Sequence, residues 1–260
     1  FYSDTESIIC GLVPTRMLFD KTRHEHICVM PLMGGDLMDE IMAMLQMNCH
    51  MGFVNLSRIV IQLVDTLKIL RDWGYGYNDM KPENVLFSRS NDGYIRLKLG
   101  DFGGICRMDG ISPNYTGITC SPPGYQREVA PCNSETNAWG IGFFITSLLV
   151  KLWIYKESQL YHEVIKTNLI RGLPVNNVIE SLINDVKTKE PRYPVTEVSM
   201  DVDDKIVNTA RNMLVQVLKD SLQTREMDSI KNTLDNYSEG LKPSHVLRWR
   251  PDSELLRLFP

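Results

Sequence analysis

Residues 84–101 have little choice but to fold back on themselves. Val85-Leu86-Phe87 is a short apolar run, and Asn91-Asp92-Gly93 is a strong turn signal. After the turn Ile95, Leu97 and Leu99 alternate with Arg96 and Lys98, the period of a strand with one buried face. The pattern predicts a hairpin from Asn84 to Asp101, and a hairpin brings its two ends together. The polar residues at those ends therefore meet: Asp101 returns beside Asn84, which shares a tight loop with Asp79 and Lys81. Two carboxylates, an amide oxygen and an ammonium converge in one small volume.

The rest of the chain supplies material for a core around that point. It has 260 residues, 43% of them apolar and 23% charged, with 28 basic against 32 acidic side chains and a net charge of −4. This excludes a disordered chain, a fibrous repeat and a basic nucleic-acid binder that relies on phosphate contacts. The longest apolar stretch, Ala138 to Val150, stops at Lys151 and is too short to span a bilayer, so no membrane partner is expected. The six cysteines (Cys10, Cys28, Cys49, Cys106, Cys120 and Cys132) form no Cys-x-x-Cys pair and lie far apart. They are expected to be small buried hydrophobes in a reducing, intracellular compartment, cytoplasm or nucleus.

Along the chain, Ser7–Val13 and His26–Leu32, separated by Asp20-Lys21-Thr22-Arg23, are expected to be two strands of a hairpin or meander. Gly34-Gly35 interrupts the pattern, and Asp36 can cap a helix beginning at Leu37. A second helix is expected from Asn55 or Ser57, with Ile59, Leu63, Val64, Leu67 and Leu70 on one face. Beyond Gly103 the chain is expected to be irregular as far as Pro131. Helices then follow over Glu135–Trp153, Ser158–Ile170, Val175–Val186 and Val202–Lys219, and a polar tail begins at Lys231. The order of elements is α+β, with the chemistry crowded between residues 77 and 125.

Asp and Asn are hard oxygen ligands suited to magnesium, which shares phosphate oxygens. A lysine beside them can neutralise a transferring phosphoryl group, and a free Asp can accept a hydroxyl proton. Asp79-Met80-Lys81-Pro82-Glu83-Asn84 followed by Asp101-Phe102-Gly103 resembles the catalytic and metal-binding loops of eukaryotic-type protein kinases. Other stretches resemble the same family in the family's order. Val29-Met30-Pro31-Leu32 before Gly34-Gly35-Asp36-Leu37 is similar to the last small-lobe strand, the hinge and the first large-lobe helix. Pro122-Pro123-Gly124-Tyr125 with Glu128 is similar to the segment that closes the activation loop. Asn137-Ala138-Trp139-Gly140 is similar to the start of the buried large-lobe helix.

The resemblance implies a protein-kinase-like α+β fold: a mainly helical large lobe over residues 31–260, and a remnant of the small-lobe sheet over residues 1–30. It implies ATP and Mg2+ as cofactors, protein substrates, and no nucleic-acid partner. Asp79 would be the base and Lys81 would steady the γ-phosphate, while Asn84 and Asp101 would hold magnesium. Met30, as gatekeeper, with Pro31, Leu32 and Leu86 would line the nucleotide site. Phe102, Gly103, Ser121, Tyr125 and Glu128 would belong to the activation and substrate segment; Ser121 or Thr119 would brace Asp79 and Lys81. Asn137, Trp139 and Arg225 would be structural, with Arg225 paired to Glu128. Lys81-Pro82-Glu83 is similar to the serine/threonine type.

Departures from the family pattern carry their own expectations. Tyr77-Asn78 stands where the family has His-Arg, so the usual partner of an activation-loop phosphate is missing and activity independent of loop phosphorylation is expected. That divergence suggests a fast-evolving lineage, such as a large DNA virus. Asn137 replaces an Asp. No Gly-x-Gly-x-x-Gly and no Val-Ala-Ile-Lys precede the hinge, and the only lysine before Pro31 is Lys21, in a predicted turn. A preceding segment or a partner completing the small lobe is therefore expected. The alternative is a kinase-like scaffold or binding module that lacks a complete nucleotide site.

Overall fold

The computed structural model describes residue 13 and residues 16–46, 52–89, 95–111, 122–123, 131–152, 164–165, 167–168, 171, 173–189 and 204–241. A hairpin comes first: β1 (Arg16–Asp20) pairs antiparallel with β2 (Glu25–Val29), Arg16 opposite Val29 and Asp20 opposite Glu25. The turn falls where the sequence puts it, with Asp20 accepting from the amides of Thr22 and Arg23. The strand that pairs with β2 was not among those expected. It follows Pro14 instead of preceding it, and the apolar run Ser7–Leu12 lies outside the described residues.

Asp36 caps α1 (Leu37–Gln46) as expected, its carboxylate accepting from Asp39 N at 2.9 Å. α2 (Phe53–Asp72) begins earlier than Asn55 or Ser57, because Phe53, Val54 and Leu56 already belong to its buried face. Ile59, Leu63, Val64, Leu67 and Leu70 are all buried, so the helical period held. The chain then makes β4 (Tyr75–Tyr77), a single 3-10 turn at Pro82–Asn84, and the expected hairpin β5 (Val85–Arg89) and β6 (Ile95–Leu99), Val85 opposite Leu99. The Asn91–Gly93 turn lies outside the described residues. A short strand β3 (Gly35–Asp36) pairs with β5 and makes a three-stranded sheet.

The described residues between 103 and 131 are less irregular than expected. β7 (Ile105–Arg107) pairs with β4, and β8 (Gly110–Ile111) pairs with β9 (Pro131–Cys132). These ladders are too short to show a period in sequence. α3 (Ser134–Leu152), α4 (Asn176–Thr188) and α5 (Asp204–Lys219) match the predicted helices within a few residues; most of Ser158–Ile170 lies outside the described residues. A π turn (Asp220–Thr224) and α6 (Met227–Leu241) follow. α6 corrects the expected polar tail: Ile230, Leu234 and Leu241 give it a buried face that its many polar neighbours dilute in sequence.

One hydrophobic core runs through α1–α6 and the hairpin. α3 is almost wholly buried, which explains its unbroken apolar stretch, and no described helix is long and apolar enough to cross a membrane. Two further expectations are corrected here. Cys106 and Cys132 are joined in a disulfide, and Cys28 is free and exposed instead of buried. Twenty-six positions separate the first pair, so nothing in their spacing marked them as partners.

Candidate active site

The loop between β4 and β5 is held from below. Asn137, in the first turn of α3, accepts from Tyr77 N at 2.9 Å through its side-chain oxygen, and Asn78 N donates to Gly104 O at 2.8 Å. An amide oxygen thus does what an aspartate would do at Asn137. The Asn137 amide nitrogen is engaged too, donating to Asn133 O at 2.8 Å. α3 is itself capped by Asn133, whose side chain accepts from Thr136 N at 2.9 Å, an Asn-x-x-Thr signature legible in the sequence. Tyr77 lies under the loop, fully buried, and its hydroxyl donates to Gly100 O at 2.8 Å. That bond links the loop to the residue before Asp101.

On this support Asp79 is only 4% exposed and Asn84 6%. Asn84 Nδ2 donates to the Asp79 backbone oxygen at 2.9 Å and to Asp79 Oδ2 at 2.8 Å. Both partners are acceptors, so the amide is oriented with its nitrogen inward, and Oδ1 is left as its remaining polar atom. Lys81 Nζ donates to the same Asp79 Oδ2 at 2.8 Å. The hydrogen bond to Asp79 pushes the ammonium above the ordinary lysine range. Partial burial opposes this, and the charges of Asp79, Asp101 and Glu83 reinforce it. Lys81 therefore stays charged throughout the neutral range. Asp79 Oδ1 stands outside these bonds, a carboxylate oxygen on a rigid, nearly dry support.

The hairpin delivers Asp101 to the same end of the sheet. Gly100 N donates to Asn84 O at 2.9 Å, which ties the two loops together. Asp101 itself is exposed and left-handed, with φ 47°, a conformation that costs a non-glycine residue of order 1 kcal/mol and clusters at functional sites. Its Oδ1 accepts from Gly103 N at 3.2 Å. Gly104 packs against the loop so closely that a Cβ there would lie 2.7 Å from the Cβ of Asp79. Only glycine fits. Phe102 packs partly buried on the core.

The remaining expectations divide. Trp139 is fully buried and Arg225 lies over its ring at 5.5 Å. Arg225 pairs with Glu135 at 3.1 Å, and its expected partner Glu128 lies outside the described residues. Met30, Pro31 and Leu32 are exposed, Leu32 completely, while Leu86 is half-buried beneath Gly100. Thr119, Ser121, Tyr125 and Glu128 lie outside the described residues. Sequence reasoning missed Gly104, Glu135 and the Cys106–Cys132 pair.

The donor set fits magnesium. That ion takes one or two protein oxygens and fills its other positions with water and phosphate. Asn84 Oδ1 and the Asp101 carboxylate are such a pair. No group of three or more His, Cys, Asp or Glu able to cage a metal occurs among the described residues, so a closed structural site of those ligands is not the pattern here.

Comparison with known proteins agrees with this arrangement. The family model for the protein kinase domain matches residues 10–234. The serine/threonine-protein kinase DCLK2 of Homo sapiens is 30% identical over 210 residues, covering 79% of this chain and 24% of that protein. The serine/threonine-protein kinase dkf-1 of Caenorhabditis elegans is 28% identical over 153 residues, 56% of this chain and 20% of its own length. The chain thus spans a quarter or less of either relative. Among solved structures, the Cydia pomonella granulovirus kinase PK-1 superposes with a TM-score of 0.52 at 18% identity, covering 87% of this chain and 77% of that one, a likeness of fold. With the protein kinase domain model matched over most of its length, the chain belongs to the eukaryotic-type protein kinase family.

Proposed function

We propose that the chain is the catalytic part of a serine/threonine kinase that transfers the γ-phosphate of ATP to a protein hydroxyl. The observation that carries this is the buried Asp79 carboxylate, its Oδ2 fixed by both Lys81 and Asn84 at 2.8 Å and its Oδ1 left to receive a proton. In this reading the substrate hydroxyl donates to Asp79 Oδ1. As its oxygen bonds to the γ-phosphorus, the bond to the β–γ bridging oxygen breaks, ADP leaves, and the proton passes to Asp79. Lys81 supplies positive charge where the transferring phosphoryl group gains negative charge. Asn84 Oδ1 and Asp101 would hold Mg2+, whose chemistry when bound is to neutralise the phosphates and keep them in line. Leu86 and the Met30–Leu32 segment would line the adenine side. The division at residue 30, with a small lobe before it and a large lobe from residue 31, belongs to the same reading.

Asp101→Asn tests the metal assignment. Magnesium-dependent nucleotide binding, followed by calorimetry on the full-length protein, should require about 100-fold more Mg2+ or be lost, since even outer-shell changes cost 10- to 100-fold. An unchanged Mg2+ requirement would remove Asp101 from the site. Wild-type protein that binds no nucleotide at any Mg2+ concentration would favour the scaffold alternative.

A further inference from the structure

The Cys106–Cys132 disulfide joins the strand that leaves the metal-binding loop to the strand that enters α3. Cys106 sits opposite Gly76 in the β4–β7 ladder, one residue before Tyr77. Cys132 Sγ lies over Gly76, so near that a Cβ there would come within 2.8 Å of the sulfur. The disulfide therefore forms the floor of the catalytic loop. Polar contacts surround it. Asn78 Nδ2 donates to Pro131 O at 3.2 Å, Asp109 N to Cys132 O at 2.7 Å, and Met108 N to Gly74 O at 2.8 Å. Asn78 stands where the family's phosphate-binding arginine would be, and its partner is the backbone of the strand that carries Cys132.

We propose that this disulfide, with Asn78, fixes the two ends of the segment between Cys106 and Cys132 beneath the catalytic loop, so that the thiol redox state takes the place of phosphorylation in setting activity. The oxidised form is the active one, because Asp79, Lys81 and Asn84 are already assembled in its presence. This inference rests on the kinase reading above.

The step is thiol–disulfide exchange with a small disulfide such as oxidised glutathione. One protein thiolate attacks it and releases one small thiol. The second protein thiolate attacks the mixed disulfide and releases another. Two protein thiols are oxidised and one small disulfide is reduced. Both protein sulfurs are buried, so exchange requires the packing over them to open, and it should be slow in the folded protein.

The test uses the full-length protein, reduced with a small dithiol and reoxidised with oxidised glutathione. Alkylation and mass measurement report the state of the pair. Reduction should lower kcat about tenfold with little change in the KM for ATP, since a small displacement of a positioned group costs rate steeply. Amide exchange at Tyr77, Asn78, Met108 and Asp109 should quicken, and reoxidation should restore both. Cys106→Ala with Cys132→Ala should match the reduced protein and ignore reductant. If the double variant does not fold, the reversible cycle of the wild type decides. Transfer and amide exchange indifferent to redox state would overturn the proposal, as would two free thiols after reoxidation. Redox-dependent amide exchange without transfer in either state would fail the kinase reading and leave the clamp standing.

Discussion

Replacing Asp79 by Asn is expected to lower the rate of phosphotransfer by about 10²- to 10⁴-fold, the range for loss of a positioned general base. Nucleotide binding should stay within a few-fold of wild type. The substitution keeps the shape and the side-chain oxygen at the site but removes the basic carboxylate. Oδ2 is committed to Lys81 and Asn84, and Oδ1 is the atom left for the substrate. An asparagine oxygen can still accept from Lys81, but the amide is not basic and cannot take up the hydroxyl proton. The measurement is single-turnover transfer beside a thermal melt. A melt within a few degrees of wild type assigns the loss to chemistry. A rate within tenfold of wild type would show that Asp79 is not the base.

Trp139→Ala should have the largest effect on stability. Its ring is fully buried in α3, with the Arg225 guanidinium 5.5 Å above it and the Arg225–Glu135 pair alongside. Truncating a buried Trp removes apolar contacts and leaves a cavity, a cost of about 3–5 kcal/mol against a total of roughly 5–15. At about 2–4 °C per kcal/mol for a domain of this size, the melting temperature should fall by roughly 6–20 °C. The loss reaches function as well, because Asn137, two residues earlier on the same helix, holds Tyr77 N. Trp139→Phe should recover part of the loss by refilling some of the volume. A fall below about 3 °C for the alanine variant would mean that the helix is not the core element described.

How much of this was legible beforehand depended on the range over which each feature is encoded. The β5–β6 hairpin, the α2 face at Ile59–Leu70 and the Asp36 cap are local patterns, and each fell where the sequence put it. The meeting of Asn84 with Asp101 followed from the hairpin. What escaped involved partners distant in sequence or very short ladders. The β4–β7 pairing joins residues thirty apart, and its three positions cannot show a period. The contact of Arg225 with Glu135 depends on which face of α3 meets the π turn. The strand Arg16–Asp20 was not read from the sequence, because Leu18 and Phe19 and the whole of its partner Glu25–Val29 are exposed. Exposure removes the alternation on which a sequence reading depends.

The central claim is that this buried Asp79 constellation moves a phosphoryl group from ATP to a protein hydroxyl. The direct measurement is transfer of label from γ-labelled ATP to a general protein substrate by the full-length protein, followed by phosphoamino-acid analysis. The claim predicts label on serine or threonine that requires Mg2+ and is lost in both Asp79→Asn and Asp101→Asn. Label that persists in those variants, or nucleotide binding without transfer, would contradict it.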